Sequence, residues 1–180
     1  MVRLLKAFLF SRGLANPFHG GLPSYALVLM ATCSVIRSCN RVGPRQACFL
    51  SQGELVVYFL DLFGREFDPT KEAVVCNWNA DLDKLGMGRA PVSNGLPLLR
   101  IGLRSESLSA SEVYLVVDDP IRYGNNVGRP CFAFNRVQAA FAEVLASLLS
   151  HVVKNEALGR NGGKIKILER IFGVRPISSG

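Results

Sequence analysis

The stretch DDPIRYGNNVGRPCFAFNRVQAAF, residues 118–141, joins a short β-type run at residues 114–117 to a helical pattern. Between the two lies a polar segment with paired acids, two amides, glycines and an arginine. A side-chain amide presents a donor and an acceptor together, as base edges do, and a guanidinium binds phosphate or carboxylate through two bonds. These residue types would suit a recognition loop held between rigid elements. On residue types alone, however, they favour an ordinary capped loop, in which the asparagines bond local backbone and Arg129 pairs with Asp119.

Apolar residues at helical spacing predict several helices along the chain. The predicted helices cover about residues 2–12, 23–37, 54–63, 135–153 and 164–172. Two segments have the form of a capping box, in which a side chain at the helix start and one three residues later satisfy each other's backbone N–H groups. They are Ser51 with Glu54 and Asn135 with Gln138. Both predict that a helix begins at that point.

Two short runs of β-forming residues, 73–78 and 114–117, predict a small strand pair. Residues 79–111 lie between the two runs and are rich in glycine, serine and proline, which predicts an irregular, insertion-like loop. The expected fold class is therefore mainly α, a bundle of four to six helices with one small β pair.

The composition limits the class of protein. The chain has 180 residues, of which 49% are hydrophobic and 19% charged, which argues against disorder and allows one domain with a buried core. The formal net charge of +7 makes an anionic partner plausible. The longest apolar stretch, residues 25–36, is shorter than the about 20 residues of a membrane span, so no membrane partner is predicted.

No familiar catalytic or metal-binding pattern occurs in the sequence. The five cysteines form no CxxC pair and do not cluster with the two histidines as zinc ligands do. The adjacent acids Asp118 and Asp119 follow a strand, where neighbouring side chains point to opposite faces and do not converge on one ion. The sequence therefore predicts no catalytic residue and no metal ligand in this chain.

The stretch at residues 118–141 resembles the nucleotide-recognition motif of surveillance-type poly(A) polymerases. These are the polymerase-β-like RNA nucleotidyltransferases of the TRAMP complex. Close relatives of these enzymes are the terminal uridylyltransferases. Other segments resemble the same family in the expected order and extend the likeness over most of residues 2–174. They are LLKAFLFSRGL (4–14) followed by GGLPSYALVLM (20–30), GELVVYFLDLFGREFD (53–68) and KILERIFGV (166–174). The resemblance implies a single domain over 1–180, with central helices in 1–50 and a poly(A)-polymerase-associated region in 51–174.

The resemblance implies nucleotide-binding roles in the first two helices. Lys6 would contact the triphosphate of the incoming nucleotide, and Ser24 would bond a phosphate at the start of its helix. Tyr25 would stack on the base; the residue pattern alone also allows a core aromatic here. Phe10 stands where many relatives have a second basic residue, and Pro23 stands where they have glycine or serine.

The resemblance also implies roles within the loop. Asp119 and Asn125 would line the base-recognition surface, whereas Asn126 and Arg129 would fix the shape of the loop itself. Uridylyl-transferring relatives tend to have histidine at the position of Asn125. An asparagine is shorter and leaves room for a purine, so this residue predicts a preference for ATP.

The activity implied by the resemblance is addition of AMP from ATP to RNA 3′ ends in RNA surveillance, with Mg²⁺ or Mn²⁺. In that family a separate preceding domain supplies the metal-binding carboxylates, and from the resemblance we expect this chain to begin inside the helix that follows that domain. We therefore expect no primer extension by the chain alone. The implied partners are RNA, ATP, and zinc-knuckle and helicase proteins of a surveillance complex.

Two other functions remain open at this point. One is a terminal uridylyltransferase of the same fold, and the other is a non-catalytic RNA- or protein-binding module or truncated gene product. The resemblance implies a nuclear location. A mitochondrial location stays open because residues 1–53 contain basic residues and no acid. A cytoplasmic location is a further alternative.

Overall fold

A computed structural model describes residues 1–42, 50–78, 98–104 and 114–157 of the protein. Within these ranges lie four α-helices and a two-stranded sheet, which packs against the second helix. The helices are α1 (Val2–Ser11), α2 (Ser24–Val42), α3 (Gln52–Asp61) and α4 (Phe134–Ala157). A short 3₁₀ turn, Pro17–His19, precedes α2, and a π-helical segment, Leu62–Glu66, continues α3. The expected mainly α class is confirmed.

The structure contains one of the two predicted capping boxes and not the other. The Ser51 hydroxyl accepts from the Glu54 N–H at 3.2 Å, and the Glu54 carboxylate accepts from the Ser51 N–H at 2.6 Å, so this capping box is confirmed. The second predicted box is wrong, because α4 begins one residue before Asn135. Its other member, Gln138, donates to the Phe67 carbonyl oxygen at 2.7 Å. The Gln138 side chain therefore bonds a residue that is distant in sequence and does not close the predicted capping box.

Two helices are longer than predicted. The second continues past residue 37 to Val42, and the last continues past residue 153 to Ala157. The predicted helix over residues 164–172 lies outside the described residues. The division into residues 1–50 and 51–174 stays a prediction. None of the described helices is long and apolar enough to cross a lipid bilayer.

The sheet corrects the predicted strand pair. Strand β1 (Glu72–Cys76) pairs antiparallel with β2 (Leu99–Leu103), with Val74 opposite Ile101. Part of the predicted irregular loop is therefore a strand; its residues 79–97 and 105–111 lie outside the described ones. The predicted run at 114–117 instead lies alongside β1 as a single parallel bridge between Val74 and Val117.

A chain of phenylalanine rings holds the last two helices together. Phe59 lies 5.0 Å from Phe63 and 5.3 Å from Phe141 between ring centroids. Phe67 continues the chain, at 5.5 Å from Phe63 and 5.9 Å from Phe134. All five side chains are buried, and such ring pairs add to the stabilisation from burial. This core fixes the start of α4, and with it one end of the loop at residues 118–129.

The first helix is tied to the last one across the bundle. The Arg12 guanidinium makes two bonds to the Glu143 carboxylate, at 3.0 and 3.3 Å. The Phe8 ring stacks on the Phe141 ring at 6.2 Å, and α1 also packs against α2. The segments that carry the predicted phosphate-binding residues and the loop are thus parts of one packed unit.

Candidate nucleotide-binding site

The loop at residues 118–129 is braced by Asn126. Its Oδ1 accepts from the Val117 N–H at 2.9 Å and from the Gly128 N–H at 2.8 Å. Its Nδ2 donates to the Leu115 carbonyl oxygen at 3.1 Å. Gly128 sits so close to Leu115 that a Cβ would lie 2.7 Å from that same oxygen. Asn126 therefore bonds local backbone on both sides of the loop and sets its shape.

Asp119 is the centre of the second set of bonds. Its carboxylate accepts from the Tyr25 hydroxyl at 3.0 Å, the Asn125 side-chain amide at 2.8 Å and the Ile121 N–H at 3.0 Å. Burial of Asp119 opposes its ionisation, but the bonds from Ile121, Asn125 and Tyr25 outweigh burial and lower the pKa of the carboxyl. The carboxylate is therefore charged at neutral pH and holds the loop against α2.

The bond to Asp119 decides which way the Asn125 amide points. An ionised carboxylate only accepts hydrogen bonds, so Asn125 must turn its NH₂ group towards it. The Oδ1 atom of Asn125 has no hydrogen-bond partner among the described residues, and the residue is exposed. The loop therefore presents an acceptor oxygen to any molecule that lies against it.

Tyr25 is positioned as a surface ring. Its side chain is 40% exposed, so it is not a core aromatic. Burial and then the bond to Asp119 raise the pKa of its hydroxyl, which stays protonated as a donor. Tyr25, Asp119 and Asn125 form one hydrogen-bonded cluster, which joins the start of α2 to the loop.

The other predicted residues lie outside this cluster. Ser24 is the exposed first residue of α2, where the free N–H groups of a helix attract anions. Lys6 is exposed on α1, with no ion pair in the described part of the chain. Arg129 is exposed and is not among the partners of Asp119; it lines a neighbouring cavity instead.

The sequence did not point to that cavity, which has a volume of ≈ 540 Å³ and lies beside the same loop. Its lining includes Trp78, Arg104, Tyr114 and Tyr123. No motif or spacing marks these residues as a set, because they come from three separate segments of the chain.

The described residues contain no group of three or more histidines, cysteines, aspartates or glutamates that could hold a metal ion. The metal that the resemblance implies therefore has no ligand set in this part of the chain. What the cluster can do is hold and orient an aromatic ring system with a polar edge.

The chain is similar to poly(A)-polymerase-like nucleotidyltransferases in both sequence and fold. It is 28% identical to gld-4, a poly(A) RNA polymerase of Caenorhabditis elegans, over 163 residues. That match covers 89% of this chain and 18% of gld-4. Its fold resembles the solved polymerase core of TRAMP, an RNA surveillance complex, with a TM-score of 0.59 and 20% identity.

The structural match covers 85% of this chain and 43% of the solved one, so the chain spans less than half of either relative. No family model matches the chain. The resemblance to poly(A) polymerases is thereby confirmed as a similarity of sequence and of fold.

Proposed function

We propose that this chain is the nucleotide-selecting part of an RNA 3′-end adenylyltransferase that acts in RNA surveillance. The observation that carries the proposal is the Tyr25–Asp119–Asn125 cluster. It combines a half-exposed ring, on which a base can stack, with an outward acceptor oxygen beside it. Similarity to gld-4 and to the TRAMP polymerase core supports the class of reaction.

The acceptor on Asn125 favours adenine over uracil. At the corresponding edge adenine carries an amino group, which donates, whereas uracil carries a carbonyl oxygen, which would face the Asn125 oxygen. A uridylyltransferase needs a donor at this place, and the bond from Asn125 to Asp119 uses the NH₂ group that could have supplied one. Cytosine also carries an amino group, but as a single ring it covers less of Tyr25.

The phosphates of the nucleotide would lie towards α1 and the start of α2. Ser24 and the free N–H groups behind it would bond one phosphate, and Lys6 would add positive charge. A divalent metal would supply activation of the attacking RNA hydroxyl, and its ligands would come from outside the described residues. The partners of the longer enzyme would be RNA, ATP, and zinc-knuckle and helicase proteins, and its compartment the nucleus.

Tyr25→Ala should weaken ATP binding by about 1–3 kcal/mol, because the base loses its stacking surface. Tyr25→Phe keeps the ring but loses the bond to Asp119, so we expect a smaller loss of about 1 kcal/mol. Affinity for ATP is measured by calorimetry, together with the melting temperature of each variant. If ATP affinity falls only as far as the melting temperature of the variant falls, the stacking role of Tyr25 is contradicted.

Asn125→His should shift the ratio of ATP to UTP affinity towards UTP by roughly tenfold to a hundredfold. The histidine would fill the space beside a small pyrimidine and donate to a uracil carbonyl, whereas it would crowd a purine. Competition between the two nucleotides measures the ratio, and in a longer enzyme that carries this chain the ratio of kcat/KM values should follow it.

The matched control is Arg122→His, which places the same side chain on an exposed position of the same loop. It should leave the ratio unchanged. An unchanged ratio in Asn125→His would mean that this residue does not read the base. Preference of the unsubstituted chain for UTP would overturn the adenylyltransferase proposal in favour of the uridylyltransferase.

A further inference from the structure

The cavity beside the loop is separate from the nucleotide cluster. It has a volume of ≈ 540 Å³, and neither Tyr25, Asp119 nor Asn125 lines it. Its wall comes from the sheet, from residues next to the sheet and from the other side chains of the loop. The polar and aromatic side chains in that wall are Trp78, Arg104, Tyr114, Asp118, Tyr123, Asn126 and Arg129.

The aromatic part of the wall is held in place by its own contacts. The Trp78 and Tyr123 rings meet edge to face, at 5.3 Å between centroids and an angle of 82°. The Arg104 guanidinium lies 4.8 Å from the centre of the Tyr114 ring and donates to the Tyr114 carbonyl oxygen at 3.1 Å. Because these groups are already ordered, a ligand would not have to pay their ordering entropy.

Two charged side chains of the wall, Asp118 and Arg129, have polar atoms that can still bond a ligand. Asp118 accepts one bond, from the Cys76 N–H to its Oδ2 at 3.0 Å, and its Oδ1 has no partner in the described segments. The Arg129 guanidinium is exposed and makes no ion pair in those segments. As far as the described segments show, the cavity thus combines ring surfaces, an acceptor oxygen without a partner and a guanidinium without an ion pair.

We infer that this cavity is a second binding site, which takes one nucleotide unit of single-stranded RNA. The base would lie against Trp78 and Tyr123, with an amino group on Asp118, as bases stack in single-strand-binding proteins. The phosphate would lie on Arg129, a guanidinium being suited to that group. An acidic peptide fits less well, because its carboxylates would meet Asp118.

The site would place RNA next to the nucleotide cluster, because the two share one loop. Asp118 lines the cavity and the adjacent Asp119 holds Tyr25; Asn126 lines the cavity and the adjacent Asn125 offers the acceptor. The inference does not rest on the proposed base preference, since it uses other side chains.

The test is binding of a short fluorescein-labelled oligoadenylate to the 180-residue chain, followed by fluorescence anisotropy over a range of salt concentrations. Tyr123→Ala should weaken binding by roughly fivefold to a hundredfold, the usual effect of losing one base–aromatic stack. Arg129→Ala should reduce the slope of log affinity against log salt by about 0.7, the value for one phosphate contact on a single strand.

Two controls separate this site from others. Arg136→Ala removes another exposed arginine, from α4 and outside the cavity, and should change the slope less. ATP affinity should be unchanged in Tyr123→Ala, whereas Tyr25→Ala should lose it. If Tyr25→Ala keeps its ATP affinity while the cavity variants behave as expected, the result therefore counts against the proposed function and not against this site.

Unchanged oligoadenylate affinity and salt slope in both cavity variants would overturn the inference. So would displacement of the oligonucleotide by AMP at equal concentration, which would assign the site to a free mononucleotide. Binding of an acidic peptide in place of the oligoadenylate would overturn it as well. If Tyr123→Ala lowers the melting temperature, the salt slope of Arg129→Ala decides whether the cavity binds RNA. The Arg129 side chain has no structural partner in the described residues, so its removal should not unfold the chain.

Discussion

Asn126→Ala should lower the free energy of unfolding by about 2–4 kcal/mol. The substitution removes three bonds at once and leaves the Val117 and Gly128 N–H groups and the Leu115 carbonyl without their partner. Each buried polar group that loses its bond costs about 1–3 kcal/mol, and water can replace part of the loss at this half-buried site. Nucleotide binding should fall too, because the same loop carries Asp119 and Asn125.

The matched control is Asn125→Ala, one position earlier in the loop. That side chain is exposed and makes one side-chain bond, to Asp119, so we expect a loss of about 1 kcal/mol or less. Urea denaturation of both variants measures the difference. Equal losses in the two would show that the loop takes its shape from elsewhere.

Gly64→Ala should destabilise the chain by about 1–3 kcal/mol, the usual cost of overpacking. A Cβ on Gly64 would lie 2.8 Å from the Ala142 nitrogen and 3.1 Å from the Phe141 carbonyl carbon. These are backbone atoms of α4, which cannot rotate away as a flexible side chain can. The π-helical segment and α4 would have to separate, which would also disturb the neighbouring phenylalanine rings.

Gly53→Ala is the same substitution with the opposite expected sign. Gly53 lies in the first turn of α3, and a Cβ there would meet only the Ser51 hydroxyl oxygen, at 3.8 Å. Alanine has the higher helix propensity, so stability should rise by about 0.5–1 kcal/mol. Thermal and urea unfolding of both variants test the pair. A neutral Gly64→Ala would contradict the close approach of the two backbones.

Local signals predicted much of the fold. The capping box at Ser51 and Glu54 holds because both of its bonds close within four residues. The similar box at Asn135 and Gln138 fails, because Gln138 finds the Phe67 carbonyl, a partner far away in sequence. Strand β2 was missed for the same reason: residues 99–103 become a strand only by pairing with β1.

The candidate site was located from sequence but not explained by it. The resemblance pointed to Tyr25, Asp119 and Asn125, and their roles with nucleotide stay predictions. Their mutual bonds were not predicted, since Tyr25 and Asp119 are 94 residues apart in the chain. The cavity gave no signal as a set: Asn126 and Arg129 were noted only as parts of the loop, and Trp78, Arg104 and Tyr114 come from other segments of the chain or were not noted at all.

The sequence by itself determined where most helices begin, that the loop at residues 118–129 is polar, and that the chain is mainly α. These properties depend on side chains and backbone groups within about one helical turn of each other. Only the tertiary structure decided that Asn125 turns its oxygen outwards and which backbone groups Asn126 bonds when it braces the loop. The reason is physical: an amide has a donor end and an acceptor end, and only the folded neighbours determine which end each of them meets.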